Sequence, residues 1–316
     1  MVTQTLGVVF PGQGSQSVGM LSDIAREFPI VEKTFEEASF VLGYDLWKLV
    51  QSGPAEELDK TVHTQPALLA AAYAIWSILE KEISFKPALL AGHSLGEYAA
   101  LVCAKAMSFS DGIRLVAARG LYMQEAAPIG VGGLGAVIGL DDAAVQDVCH
   151  KSVMDDEVLS PANFNCPGQV VVAGHLKAVE RALVLAKAQG AKLAKLLPVS
   201  VSSHCALMQP AAERLTALLP TIAIETPTIP VISNVDVVPY TTPQAIRDGL
   251  VRQLVMPVRW VETIQLFSTQ GITDIVECGP GKVLNGLNKR IAKDIQLTNS
   301  ADLTSLKALL AQYISN

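Results

Sequence analysis

The chain has few charges, few cysteines and no long apolar run among its 316 residues. Its five cysteines form no close pair, so the sequence predicts neither a disulfide framework nor a zinc site. The longest apolar stretch, residues 67–76, is too short to span a membrane, and the N-terminus lacks the charged start of a signal peptide. A net charge of −6 without a lysine or arginine cluster argues against nucleic acid as a ligand. We therefore expect a cytoplasmic protein without a membrane or nucleic-acid partner.

What the chain does have is apolar content, 50% of its residues, enough for a large core. An apolar run at residues 6–10 ends at Pro11-Gly12-Gln13-Gly14, and similar runs then alternate with helical patterns. Predicted helices include residues 65–81, 96–106 and 111–125, the last with Ser110 as N-cap and Pro128 as its stop. This alternation predicts an α/β fold with a parallel sheet covered by helices on both faces.

The pattern changes after Pro128. Strands are predicted at residues 133–139, 158–164, 169–173 and 192–197, and helices at 141–151 and 176–189, with a turn at 165–168. The resulting βαββαβ order is that of a ferredoxin-like unit. We therefore predict a small subdomain at residues 128–199, inserted into a large α/β-hydrolase-like subdomain formed by 1–127 and 200–316. The large part resumes with a helix at 206–219, and a cleft between the two parts is the expected ligand site.

The strongest chemical signal is Gly92-His93-Ser94-Leu95-Gly96, which follows an apolar run and precedes a helical one. A Gly-x-Ser-x-Gly motif between a strand and a helix is typical of a nucleophile elbow, which exposes the serine hydroxyl at the start of the helix. Ser94 is therefore the candidate nucleophile.

A serine hydroxyl needs a base, and the chain has five histidines. His93 adjoins the nucleophile and is expected to point away from it, while His63 is expected in a loop. His150 and His175 are expected to be solvated in the small subdomain. His204 lies where the chain returns to the large subdomain, at the edge of the predicted cleft, and is the candidate base.

No acidic residue stands out as the partner that orients His204. Asp236, Asp274 and a backbone carbonyl are all candidates. The acids between Ser94 and His204 in the small subdomain are expected to be solvated: Asp141, Asp142, Asp155 and Asp156. A Ser-His dyad is therefore preferred over a triad.

Two further features suggest substrate recognition. The glycine-rich segment at residues 10–16 offers backbone N–H groups for an oxyanion, together with the N–H of Leu95, although it lacks the Gly-Lys-Ser/Thr ending of a phosphate loop. Arg119 lies in an otherwise apolar part of its helix, so its guanidinium is expected to point inward and to require an anion such as a carboxylate. A buried salt bridge or a surface arginine is the alternative for this residue.

Together these motifs resemble the malonyl-CoA:acyl carrier protein transacylases of fatty acid synthesis and, less closely, the acyltransferase domains of polyketide synthases. The resemblance spans almost the whole chain. Its motifs are Phe10-Pro11-Gly12-Gln13-Gly14-Ser15-Gln16, Thr64-Gln65-Pro66-Ala67-Leu68, Gly92-His93-Ser94-Leu95-Gly96-Glu97-Tyr98, Arg119-Gly120 with Met123-Gln124, Asn163-Phe164-Asn165-Cys166-Pro167-Gly168-Gln169, Ser203-His204, and Gln253 with Pro257-Val258.

The resemblance implies a role for each of these residues. Ser94 would carry the malonyl group as an ester between coenzyme A and the phosphopantetheine thiol of acyl carrier protein, with His204 as base and then acid. The oxyanion would be held by the backbone N–H groups of Gln13 and Leu95, and the free malonyl carboxylate by Arg119. The backbone carbonyl of Gln253 would orient the histidine. His93, Asn163 and Asn165 are expected to line the cleft, and no metal or other cofactor is expected.

Acyl carrier proteins are acidic, so an acidic chain needs a local basic patch to dock one. The candidates for this patch are Lys192, Lys195, Lys282, Lys289 and Arg290. We expect the protein to act as a monomer.

Three alternatives remain at this stage. A serine esterase or thioesterase would share the elbow, and a non-catalytic module for docking carrier protein would share the surface. Ser203, which precedes His204, leaves α-substituted malonyl groups for polyketide synthesis as alternative substrates.

Overall fold

The computed structural model describes residues 5–126, 130–198 and 201–314. Its strands are β1 (Leu6–Phe10), β2 (Leu89–Gly92), β3 (Gly132–Ile138), β4 (Leu159–Cys166), β5 (Gln169–His175), β6 (Leu193–Leu196), β7 (Val231–Ile232), β8 (Asp274–Glu277) and β9 (Gln296–Asn299). Its helices are α1 (Ser22–Ala25), α2 (Ile30–Leu42), α3 (Leu46–Ser52), α4 (Ala55–Leu58), α5 (Thr61–Glu82), α6 (Gly96–Cys103), α7 (Phe109–Ala126), α8 (Asp142–Ser152), α9 (Leu176–Ala188), α10 (Gln209–Leu218), α11 (Pro243–Val255), α12 (Trp260–Thr269), α13 (Val283–Ile291) and α14 (Leu303–Ile314). Short 3₁₀ turns at Ala206–Met208 and Leu219–Thr221 flank α10.

The first sheet is parallel, with the order β7-β2-β1-β8-β9. Its strands are buried on both faces except for the edge strand β9, which is partly exposed. Val8 and Phe10 pack into one core with α5 and α6, whereas Val9 packs into another with α12 and α13. The predicted α/β layer with helices on both faces is thus confirmed, and the carboxyl ends of its strands meet at one edge, where such sheets bind ligands.

The second sheet is antiparallel, with the order β4-β5-β3-β6. Helices α8 and α9 cover one face, and the βαββαβ order confirms the predicted ferredoxin-like unit. Leu134 and Val171 on the other face turn toward the large subdomain. The predicted boundaries, at residues 127/128 and 199/200, and the predicted stop at Pro128 lie outside the described residues.

Several local predictions were wrong. His63 is not in a loop but in the first turn of α5, which begins four residues earlier than predicted. The N–H of His63 donates to Lys60 O at 2.8 Å, so the helix starts before Pro66. Pro66 is thus the sixth residue of the helix and lies in its second turn, where proline supplies no N–H for the usual helical hydrogen bond.

The helix that carries Arg119 also begins differently from the prediction. Ser108, not Ser110, caps α7, because its Oγ accepts from the N–H of Asp111 at 3.0 Å. Ser110 instead lies inside the first turn and donates to Glu37.

The small subdomain contains two further differences. Strand β4 extends through Cys166, so the turn predicted at residues 165–168 is only Pro167 and Gly168, where Gly168 takes a positive φ of 72°. His175 is half-buried rather than solvated, and its Nδ1 accepts from the N–H of Val158 at 2.8 Å. The prediction for His150, which is exposed, is correct.

Among the described residues, α5 alone is long and apolar enough to meet the criteria for a membrane span. Its most apolar window is 78% buried against the rest of the protein, which is the environment of a core helix.

Candidate active site

Ser94 lies on a sharp turn between β2 and α6. Its φ is 52°, in the left-handed region that non-glycine residues rarely adopt. A side chain at Gly92 would lie 1.8 Å from the backbone carbon of Gly96, and one at Gly96 would lie 2.1 Å from the carbonyl oxygen of Phe10. Only glycine fits at both positions, and the turn is therefore a nucleophile elbow.

The elbow is held from below by Asn234, which follows β7 at the same edge of the sheet. Its Oδ1 accepts from the N–H of Ser94 at 2.8 Å, and its Nδ2 donates to Gly92 O at 2.7 Å. Sequence reasoning missed this residue. The available signal was its place after a strand, at the edge where the elbow was expected.

His204 lies next to Ser94 despite a separation of 110 residues in sequence. The distance from Ser94 Oγ to His204 Nε2 is 2.8 Å, a hydrogen bond that suits proton transfer. The second ring nitrogen, Nδ1, donates to the carbonyl oxygen of Gln253 at 2.6 Å, which leaves Nε2 unprotonated. Burial and the positive charge of Arg119 lower the pKa of His204 from 6.5 to about 3, so the neutral base persists to low pH.

The carboxylates considered as partners of His204 have other contacts. Asp236 forms a salt bridge with Arg252, and Asp274 begins β8 and accepts from Thr273. The acids of the small subdomain are exposed, as predicted: Asp141, Asp142, Asp155 and Asp156. Among the residues that the structure describes, the partner of His204 Nδ1 is therefore a backbone carbonyl and not an acid.

Arg119 points into the protein and is 1% exposed. Its guanidinium donates to Ser94 Oγ at 3.2 Å, to Gln65 Oε1 at 2.9 Å and to Gln253 Oε1 at 2.9 Å. It also lies 5.2 Å from the centre of the Tyr98 ring. Within the described part of the chain it forms no salt bridge, and Nε has no hydrogen-bond partner. Because a buried charge is costly without an opposite one, Arg119 is suited to bind an anion beside Ser94.

A buried carboxylate, Glu97, lies behind this group in the first turn of α6. It accepts from Tyr240 Oη at 2.6 Å and from Gln253 Nε2 at 2.5 Å. Burial raises the pKa of Glu97 to about 7. Sequence reasoning gave Glu97 no role, although a single acid in an otherwise apolar helix was the visible signal.

The cleft between the subdomains encloses a cavity of about 250 Å³ above Ser94. It is lined by the large subdomain through Gln13 and Leu95, and by the small one through Asn163 and Asn165. Within the described ranges, no atom accepts from the backbone N–H of Gln13 or of Leu95. His93 also lines the cavity, and its Nε2 bonds Asn165 Oδ1 at 2.8 Å rather than Ser94. All nine predicted site residues are therefore in or around one cavity, with Gln253 behind it.

Comparisons with known proteins agree on one family. The profile of the acyl transferase domain matches residues 8–304. A malonyl CoA-acyl carrier protein transacylase of Salmonella typhimurium is 56% identical over 304 residues, which is 96% of this chain and 98% of the relative. The structure of the malonyl CoA-acyl carrier protein transacylase from Coxiella burnetii superposes with a TM-score of 0.96. It is 49% identical in sequence, and the alignment covers 99% of this chain and 98% of that enzyme. A malonyl-transacylase solved in complex with its type II polyketide acyl-carrier protein also superposes with a TM-score of 0.96. It is 53% identical, and the alignment covers 98% of this chain and 100% of that transacylase.

The low pKa of His204 predicts how Ser94 reacts with a general serine reagent such as a sulfonyl fluoride. Because the imidazole stays neutral, we expect the inactivation rate to change little between about pH 8 and pH 5, once corrected for hydrolysis of the reagent. A histidine with an ordinary pKa near 6.5 would lose most of its reactivity over this range. The rate is measured by mass spectrometry of the intact protein. His204→Ala should react slowly at every pH, and a midpoint near pH 6.5 in the unmodified protein would contradict the assignment.

Proposed function

The chain belongs to the acyl transferase family, and on this premise we propose that it transfers the malonyl group of malonyl-CoA to the phosphopantetheine thiol of acyl carrier protein, for fatty acid biosynthesis. The observation that carries the proposal is the buried guanidinium of Arg119, 3.2 Å from Ser94 Oγ and without a carboxylate partner among the described residues. Malonyl-CoA supplies that carboxylate, whereas acetyl-CoA does not. Within the fold the nearby carboxylate of Glu97 attracts Arg119 without contacting it, so the malonyl carboxylate would supply the direct ion pair that the guanidinium lacks.

The first half of the reaction makes an ester on Ser94. The hydroxyl oxygen attacks the thioester carbonyl while His204 Nε2 takes its proton. The carbonyl oxygen becomes an oxyanion, which the unpartnered N–H groups of Gln13 and Leu95 stabilise. The C–S bond then breaks, and coenzyme A leaves as the thiol with the proton that His204 returns.

The second half reverses these steps with a different thiol. The phosphopantetheine thiol gives its proton to His204 and attacks the ester carbonyl, and Ser94 leaves with that proton. The Gln253 carbonyl accepts from Nδ1 throughout, so it holds the ring orientation and favours the positive charge that develops on it. Nucleophile, base and oxyanion donors thus all come from one chain, so we propose that the enzyme works as a monomer without a cofactor. We also propose that it is cytoplasmic, as the sequence predicted.

We also propose the subdomain boundaries that the sequence predicted, 128–199 for the small part and 1–127 with 200–316 for the large part. They are supported by the antiparallel sheet, which begins at Gly132 and ends at Leu196. The cavity between the parts would take the malonyl group and the end of the phosphopantetheine arm.

Formation of the ester on Ser94 is the direct test of the proposed function. After incubation with malonyl-CoA, we expect the mass of the intact protein to increase by one malonyl group, and Ser94→Ala to show no increase. Addition of phosphopantetheinylated acyl carrier protein should remove the group from the enzyme and place it on the carrier. Release of free malonate as fast without carrier as with it would favour a hydrolase.

The role of Arg119 is tested by substrate preference. We expect Arg119→Ala to lower kcat/KM for malonyl-CoA about 100-fold or more, because the carboxylate loses its charged partner, and to raise transfer of acetyl groups relative to malonyl groups. The matched control is Arg114→Ala, which removes an exposed arginine of the same helix that pairs with Asp111. An unchanged malonyl preference in steady-state competition would contradict this role.

The carrier-protein docking site that we propose lies at the mouth of the cleft. Lys282 directly precedes Val283, which lines the cavity, and Lys289 is exposed on the same helix, α13. Lys195 is exposed on β6, two residues before Leu197 of the cavity wall. Lys192 is exposed farther along the same edge. Arg290 is less available, because its guanidinium donates to Gln169 Oε1 and Pro167 O across the cleft.

Charge reversal tests this docking surface. We expect Lys282→Glu to raise KM for acyl carrier protein severalfold, most strongly at low salt, with KM for malonyl-CoA less affected. The matched control is Lys86→Glu, which makes the same change in charge at an exposed position before β2, at the opposite edge of the parallel sheet, and should leave KM for acyl carrier protein unchanged. Equal effects of the two variants, or none from Lys282→Glu, would exclude Lys282 from the docking site.

A further inference from the structure

Glu97 is a completely buried carboxylate that the reaction does not use directly. Two donors reach its Oε1, the hydroxyl of Tyr240 at 2.6 Å and the N–H of Asn234 at 3.3 Å. One donor reaches Oε2, the side-chain amide of Gln253 at 2.5 Å. Within the described chain, it pairs with no lysine or arginine. In the ionised form, which prevails above the pKa of about 7, both oxygens therefore serve only as acceptors, and their donors are neutral groups.

The consequence of this arrangement is a fixed orientation of the Gln253 amide. Its Nε2 lies between two acceptors, Glu97 Oε2 and the carbonyl oxygen of Ser94 at 2.9 Å. An amide turned by 180° would bring its oxygen against both of them and would lose both hydrogen bonds. Gln253 Oε1 is therefore forced toward Arg119 NH2, from which it accepts at 2.9 Å.

We propose that Glu97 is a positioning residue for malonyl recognition: it fixes the Gln253 amide so that Oε1 holds the Arg119 guanidinium beside Ser94. This proposal rests on the proposed malonyl transfer. The new element is that substrate preference depends on Glu97, a carboxylate that contacts neither Arg119 nor the substrate. Arg119 keeps its orientation because Gln65 Oε1 and Gln253 Oε1 accept from its two terminal nitrogens.

An isosteric change, Glu97→Gln, exposes this dependence. The new side chain has one acceptor oxygen where the carboxylate has two. If that oxygen stays with Tyr240 and Asn234, the NH2 group of the new glutamine faces the Gln253 amide. This favours a Gln253 amide turned by 180°, whose NH2 group would then face the guanidinium of Arg119. If it stays with Gln253, the N–H of Asn234 loses its acceptor, and the residue that holds the elbow is disturbed.

The test is a double-mutant cycle on the ratio of kcat/KM for malonyl-CoA to kcat/KM for acetyl-CoA. We expect Glu97→Gln to lower this ratio about tenfold or more, mainly through KM for malonyl-CoA. In an Arg119→Ala background the same change should leave the ratio nearly unaltered, because the guanidinium that Glu97 positions is gone. A purely structural role for Glu97 would give equal effects in both backgrounds, and that result would overturn the proposal.

Tyr240→Phe is the matched control. It removes one hydrogen bond from the same carboxylate but leaves Glu97 Oε2 and its bond to Gln253 in place, so we expect the ratio to stay close to that of the unmodified enzyme. Thermal unfolding of both variants separates loss of fold from loss of preference. If the unmodified enzyme forms no malonyl ester, the proposed function fails. If it does and Glu97→Gln keeps the ratio, only the role of Glu97 fails.

Discussion

The close contact between β1, β2 and the start of α6 is the constraint on which the site depends. Because Gly96 approaches the carbonyl oxygen of Phe10 with no room for a side chain, the helix begins directly over the end of the first strand. The N–H of His93 bonds that same carbonyl at 3.0 Å, so the elbow is tied to the sheet at two adjacent points. The left-handed φ of Ser94 follows from this geometry. The strain is held by Asn234 from below and places the hydroxyl where the cleft opens.

Electrostatics then distinguishes this elbow from that of a common serine hydrolase. A triad offers the histidine a carboxylate, which favours its positive form. Here a neutral carbonyl faces the histidine and a guanidinium lies nearby, so the free site strongly disfavours a second positive charge. A bound dicarboxylic half-ester would offset Arg119 and thereby ease protonation of His204 at the point where the base must accept a proton. Substrate charge and base strength are coupled in this way, which gives a malonyl group an advantage over an acetyl group beyond simple attraction.

Much of this could be predicted from the sequence, for definable reasons. Three features are local patterns: the elbow, the alternation of strands and helices, and the βαββαβ unit. Their glycine spacing and hydrophobic periodicity can be recognised in the sequence without knowledge of the tertiary structure. The choice of His204 depended on elimination, which worked because only five histidines were available. The roles expected for Gln13 and Gln253 came from family resemblance, since a backbone group acts in the same way whatever its side chain.

What the sequence could not provide were contacts that depend on the path of the chain in space. Asn234 and Tyr240 reach Ser94 and Glu97 from sequence separations of 140 and 143 residues. The position of Asn234 after a strand is a weak signal, and it does not say which distant residue the side chain contacts. The cap of α7 depends on a single hydrogen bond that either of two nearby serines, Ser108 or Ser110, could make. The start of α5 is set by the N–H groups of His63 and Thr64, which both bond Lys60 O, and helix boundaries of this kind are hard to predict from sequence.

The central place of Gln253 explains why these distant contacts matter. Its backbone carbonyl holds the base, its side-chain oxygen holds the substrate-binding cation, and its side-chain nitrogen bonds the backbone of the nucleophile. One residue near the end of α11 thus joins the three groups whose relative positions the reaction requires. Because such positions must be held to a fraction of an ångström, a site joined through one fully buried glutamine tolerates little independent movement of its parts. Glu97 is part of the same constraint. The Gln253 amide has an oxygen at one end and a nitrogen at the other, so it can accept from Arg119 and donate to Ser94 and Glu97 in only one orientation.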